Sequence, residues 1–197
     1  MTDASIPDPH DITASVVRAL VLYSLAEFQS GHASHIRVTA DGHSFSVADN
    51  GRGHAIGRTV AGQPYLKFVY THLDYPFEQR QGAPMQLHAI GMSLVNVLCS
   101  ELDITARKHD VTLRMSFKNG RLGDCELVDA KPEKTTDIHS GNTISGKVNP
   151  QLQKDGVNVP SLRQWLIALL TASPTLQLSF NGLELQVLAQ PEAQAES

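Results

Sequence analysis

Apolar residues recur at helical spacing from Ile12 through Val16, Val17, Leu20, Val21, Leu25 and Phe28, with Asp11 ahead of them and Gly31 behind. This predicts a helix over residues 11–30, capped by Asp11 and ended by Gly31. The pattern then alternates. Residues 34–40 and 43–49 read as two strands joined by Asp41-Gly42, a hairpin signal. Residues 53–63 read as a loop and 64–73 as a short helix. Residues 74–86, with Pro76, Gly82 and Pro84, read as irregular. A helix is predicted over 90–100, with Ile90, Leu94, Val97 and Leu98 on one face. Strands follow at 102–107, 111–117, 121–128 (after Asn119-Gly120) and 143–148. A helix over 162–170 follows Pro160, and a last hairpin at 176–180 and 183–188 turns at Asn181-Gly182. Helices and antiparallel hairpins come in blocks, which predicts an α+β fold: one single-layer mixed β-sheet with helices packed on one face. The organisation expected is a loose arm (1–10), one domain (11–188) and a disordered tail (189–197).

Residues Asp49 to Gly53, Asp-Asn-Gly-Arg-Gly, interrupt this pattern where the second strand ends. A carboxylate at a strand end, followed by two glycines, brings an acceptor and bare backbone up to a ligand. It also suits an ordinary strand-ending turn. A second glycine element, Gln86-Leu87-His88-Ala89-Ile90-Gly91, runs straight into an apolar helix and favours the ligand reading.

Composition narrows the classes. The chain has 197 residues, 41% of them hydrophobic, enough for a core without disulfides or metals. A net charge of −4 and no block of basic residues give no pull toward nucleic acid or anionic membranes. No apolar run is expected to reach the roughly 18–20 residues of a membrane span. The first ten residues are polar, with two prolines and no signal-peptide pattern. Cys99 and Cys125 are therefore expected as reduced thiols in cytoplasm. The nine histidines show no metal-ligand spacing; His10, His32, His35, His43, His72, His109 and His139 are expected at the surface, and Trp165 in the core.

Taken in order, helix, hairpin ending in Asp-Asn-Gly-Arg-Gly, loop, Leu-His-Ala-Ile-Gly-Met-Ser-Leu-Val-Asn-Val-Leu, hairpin and a strand opened by Gly-Asn-Thr, the chain resembles the ATP-binding domain of the DNA gyrase B protein and of topoisomerase IV. These belong to the GHKL group, whose domain is the Bergerat ATP-binding fold. Leu87, His88, Gly91, Ser93, Val95, Asn96 and Leu98 match the second motif in register. The resemblance implies that Asp49 accepts from the adenine amino group and that Gly51 and Gly53 let the base approach. It puts His88, Ala89, Ile90 and Gly91 at the phosphate-side helix start, with Ala89 replacing a glycine. Asn142 or Thr143 supports the adenine, Thr143 being the family's residue type. Glu27 and Arg52 match a structural pair.

The departures lie on the first helix. The family's general-base glutamate, its Mg²⁺-binding asparagine and a nearby aspartate fall at Ala19, Tyr23 and Ala26, on one helix face. The stretch matching the family's lysine-bearing lid has Arg80 and no lysine, and His54-Ala55 replaces the usual Ile-Pro. The resemblance thus implies a domain that binds ATP or ADP, with no catalytic base, doubtful Mg²⁺ and weak or defective hydrolysis. Two other readings stand beside it: an active ATPase domain of a type II topoisomerase-like protein, and a degenerate scaffold serving only protein interaction. A protein partner is expected; dimerisation, known in the family through an N-terminal arm, is left open.

Overall fold

Asp11 starts the first helix and ties it to a distant loop. In the computed structural model, which describes residues 10–72, 91–109, 111–129 and 140–187, helix α1 runs Ile12–Gln29. The Asp11 carboxylate accepts from the Ala14 N–H at 2.8 Å, an N-cap bond, and from the Asn158 N–H at 2.9 Å. The Gln153 amide also donates to Asp11, at 3.3 Å, and its oxygen accepts from the backbone and hydroxyl of Thr13. The cap is therefore also the clasp between α1 and the chain around 153–158.

Strands β1 (His35–Asp41) and β2 (Ser44–Asp49) form the first hairpin, with alternate residues Ile36, Val38, Ala40, Phe45 and Val47 buried. Its turn is Gly42-His43, one residue later than expected, because Asp41 still pairs with Ser44. The stretch read as a loop holds a small hairpin, β3 (Thr59–Val60) with β4 (Gln63–Pro64), before α2 (Tyr65–Thr71). Helix α3 is Met92–Leu98; β5 (Cys99–Lys108), β6 (Val111–Lys118), β7 (Arg121–Asp129) and β8 (Ser140–Val148) follow. Helix α4 is Val159–Ala172, then β9 (Gln177–Phe180) and β10 (Leu183–Glu184). Both Asn-Gly turns, Asn119-Gly120 and Asn181-Gly182, have positive φ at both residues, the type I′ geometry that matches strand twist.

Eight strands make one sheet in the order β10-β9-β1-β2-β8-β5-β6-β7. The β1–β9 pair is parallel and the other pairs are antiparallel, so the sheet is mixed, in an α+β fold. Helix α4 buries Leu162, Leu166 and Leu170 at a spacing of four, each side chain contributing about 1.5–3 kcal/mol by leaving water. Trp165 is half-buried, with the Arg18 guanidinium 5.6 Å from its ring centroid.

Several expectations are corrected. Helix α3 stops at Leu98, so Cys99 opens β5 instead of ending a helix. Its buried residues are Met92, Ser93, Val95 and Asn96; Leu94 and Val97 are exposed. Pro160 lies inside the first turn of α4, where its missing N–H costs nothing, and Asn158 is the cap. His43 is half-buried, 2.9 Å from the Gln153 carbonyl oxygen. An apolar run does reach 18 residues: α1 is long and apolar enough, by length and composition, to cross a membrane. Its burial explains that composition, since Val16, Val17, Leu20 and Val21 are all inside the core. The irregular stretch, His139 and the tail lie outside the described residues.

Replacing Asp11 by alanine removes the cap and the clasp together, and should cost about 2 kcal/mol in urea unfolding. Asp11→Asn, which keeps an acceptor for Ala14, should lose less than half of that.

Candidate functional site

The β1–β2 register delivers Asp49 to the end of its strand opposite Ile36, on the buried face. Asp49 is 5% exposed. Its Oδ2 accepts from the Ser24 hydroxyl of α1 and its Oδ1 from the Gly51 N–H, both at 2.9 Å. Burial raises its pKa; the Gly51, Ser24 and Asn142 hydrogen bonds oppose that rise in part. A Cβ at Gly51 would stand 3.0 Å from Asp49 Oδ1 and 3.1 Å from the Glu27 Cβ, so glycine is what lets the turn fold under the carboxylate.

The next residue fastens the turn to α1. The Arg52 guanidinium donates to Glu27 twice, Nη2 to Oε1 at 2.9 Å and Nε to Oε2 at 3.1 Å. The bidentate geometry holds a buried carboxylate (8% exposed) against a mostly exposed cation (57%). The Glu27 hydrogen bonds raise the Arg52 pKa further. Gly53 then turns at φ +72, where a Cβ would collide with the Arg107 carbonyl oxygen of β5. A Cβ at Gly141 of β8, at φ +133, would likewise collide with the Asp49 carbonyl oxygen.

This close approach carries His54 inside. It is 2% exposed, and its backbone N–H donates to Asn142 Oδ1 at 2.8 Å. Its Nδ1 is 3.0 Å from the Tyr23 hydroxyl and its Nε2 is 3.1 Å from the Tyr70 hydroxyl. Tyr23 is 4% exposed and Tyr70 is fully buried. The line continues to α3: the Asn96 amide donates to the Tyr70 carbonyl oxygen at 2.9 Å and to that of Gly120 at 3.2 Å.

Of the residues picked from the sequence, Asp49, Gly51, Gly53, Glu27, Arg52 and Tyr23 meet around this turn. Asn142 is the β8 residue beside Asp49; Thr143 pairs with Ala48 and belongs to the other face of the strand, because side chains alternate. Ala19 is wholly buried in the core and Ala26 half-buried. Gly91 is the residue before α3. His88, Ala89 and Ile90 lie outside the described residues, as does Arg80. Sequence reasoning missed Ser24, Tyr70 and the buried role of His54. The signal for Ser24 was its place beside Tyr23 on α1; Tyr70 gave none. Among the described residues no three His, Cys, Asp or Glu side chains are grouped to hold a metal.

Comparison with known proteins shows what this arrangement is similar to. The chain is 32% identical over 126 residues to the B subunit of DNA topoisomerase 4 from Staphylococcus aureus (strain Mu50), covering 61% of this chain and 19% of that protein. It is 31% identical over 143 residues to the B subunit of DNA gyrase from Streptococcus pyogenes serotype M3, covering 70% and 21%. The chain is a gyrase-B-like domain of the GHKL fold. It spans about a fifth of the length of these curated relatives. Among solved structures, the topoisomerase IV ATP-binding domain of Francisella tularensis, in complex with a small-molecule inhibitor, superposes with a TM-score of 0.70 at 21% identity. That match covers 86% of this chain and 83% of the other. The 43K ATPase domain of Thermus thermophilus gyrase B, in complex with an aminocoumarin, gives 0.69 at 21% identity, covering 86% and 44%. No protein-family model matches the gyrase-B-like domain.

The Asp49 pKa is raised above its ordinary value of 3.8, so the native state takes up this proton more readily than the unfolded chain. Stability from this group is complete at low pH and is lost as pH rises through the raised native value. Relative to Asp49→Asn, the native-sequence protein should therefore lose stability as pH climbs through that window, then level off. Urea midpoints of both proteins from about pH 3.5 to 7 check this, and common titrations cancel in the difference.

Proposed function

We propose that the chain is a purine-nucleotide-binding domain, one unit over residues 11–188, that holds ADP or ATP by the base and hydrolyses ATP weakly or not at all. The buried Asp49 carboxylate carries this reading. A carboxylate has about four acceptor sites. The Ser24 hydroxyl and the Gly51 N–H each donate to one, and Asn142 hydrogen-bonds the carboxylate as well. An exocyclic amino group is the donor that such a buried acceptor suits. Asn142, not Thr143, supports the base in this reading, since it adjoins Asp49. The resemblance assigns His88, Ala89, Ile90 and Gly91 to the phosphate side.

The positions it assigns to the general base and the metal ligand are Ala19 and Tyr23. A methyl group takes no proton. A phenol engaged with His54 is a poor ligand for a hard cation that prefers carboxylate or carboxamide oxygen. This donor set does not fit Mg²⁺. Loss of a general base alone costs about 10²–10⁴-fold in rate. A binding domain with that defect serves as a regulator or interaction module for a protein partner, with nucleotide as its signal.

An ATPase assay with Mg²⁺ should give turnover at least about 10²-fold below that of a gyrase B ATPase domain. ADP binding, followed by calorimetry, should weaken at least about tenfold in Asp49→Asn. Mg²⁺-dependent turnover at the gyrase B level, abolished by Asp49→Ala, would refute the proposal in favour of an active ATPase.

A further inference from the structure

The outer side of α1 carries a cation that no described side chain answers. Between Ile12 and Phe28 no residue of α1 is fully exposed. Ile12, Ser15, Arg18 and Leu22 recur every three or four residues as a half-buried stripe. Trp165 and Leu169, four residues apart on α4, make a second half-buried stripe. The two meet where the Arg18 guanidinium carbon stands 5.6 Å from the Trp165 ring centroid.

Arg18 is out of balance there. Its Nε is buried and has no hydrogen-bond partner among the described residues. Burial of the guanidinium pulls its pKa down, and the Asp11 charge opposes that fall. Asp11 already accepts from Ala14, Asn158 and Gln153. A cation desolvated without a counter-charge costs free energy. A guanidinium against an aromatic ring keeps N–H groups for a carboxylate.

The chain ahead of α1 has the chemistry to supply one. In residues 1–9 the charged side chains are Asp3 and Asp8, with no lysine or arginine. Pro7 and Pro9 flank Asp8, and each biases the residue before it, Ile6 and Asp8, to extended backbone. Helical side chains lean toward the N-terminus, so Arg18 reaches toward the end of α1 that this segment enters. From His10 to Arg18 the helix rises about 12 Å. Two extended residues, about 7 Å, and the arginine side chain close that gap to Asp8.

We propose that residues 1–9 fold back over the α1–α4 face of their own chain, with the Asp8 carboxylate on the Arg18 guanidinium and Ile6 on Trp165. The segment is then a clamp across two helices, one of which brings Ser24 and Glu27 to the Asp49 turn.

Trp165 is the one tryptophan in the chain, so acrylamide quenching of its fluorescence reads this face in the full chain. Deleting residues 1–9, Asp8→Arg and Arg18→Glu should each raise the quenching constant about twofold, and the charge swap that combines both substitutions should restore it. The deletion and Asp8→Arg leave α1 intact, so they decide the matter even if Arg18→Glu does not fold. Quenching should not change with protein concentration. Quenching that neither the deletion nor Asp8→Arg alters overturns the proposal. Protection that falls on dilution also overturns it, giving the face to a second copy. So does protection lost only on deleting residues 188–197, which gives the face to the tail.

Discussion

The site depends on one hydrogen bond, from the His54 N–H to Asn142 Oδ1 at 2.8 Å. A carboxamide has one acceptor end and one donor end. With its oxygen held by a backbone N–H, Asn142 has its amino end left for the Asp49 side. That suits an ionised acceptor. The bond exists only because the turn after Asp49 packs backbone to backbone against β5 and β8. Gly53 and Gly141 permit this, since a Cβ at either would meet a carbonyl oxygen. A methyl group there would push the turn outward and take His54 away from both tyrosines.

The resulting interior is polar at the turn and apolar elsewhere. Buried polar groups are costly unless satisfied, and here satisfaction runs as a line: Ser24, Asp49, Asn142, His54 with its two tyrosines, then Asn96. The line touches α1, β2, β8, α2 and α3, so it fixes where the helices sit on the sheet as well as where Asp49 points. One end is left over: Asn96 Oδ1 is buried without a hydrogen-bond partner among the described residues, the type of defect that costs about 1–3 kcal/mol. The Glu27–Arg52 pair closes the turn from outside, where water weakens it without dissolving its bidentate geometry.

Much of the scaffold was legible because local chemistry agreed with the tertiary outcome. Asp11 caps α1, and both Asn-Gly turns carry the backbone that their residues favour. The errors fall where tertiary demands overrode local pattern. The strand expected from residue 143 begins already at Ser140, because β5 pairs with Ser140, Gly141 and Asn142. Leu94 and Val97 looked like a core face, but Ser93 and Asn96 are buried instead, Asn96 by its bonds to Tyr70 and Gly120. At the site, Asp49, the glycines and the Glu27–Arg52 pair were legible through the motif. His54 was visible only as a departure from the family pattern. Its partners, Tyr23 and Tyr70, come from two helices that no sequence spacing connects.

In the reading proposed above, Asp49 and the turn beneath it form one ligand-binding unit governed by Asn142 and His54. Adenosine titration into ¹⁵N-labelled protein tests this residue by residue, because the Gly51 and His54 N–H groups donate to Asp49 and Asn142 themselves. Both amide signals should shift saturably with one affinity, and neither should shift in Asp49→Asn. Saturable shifts that leave Gly51 and His54 in place, or no shift at all, would contradict it.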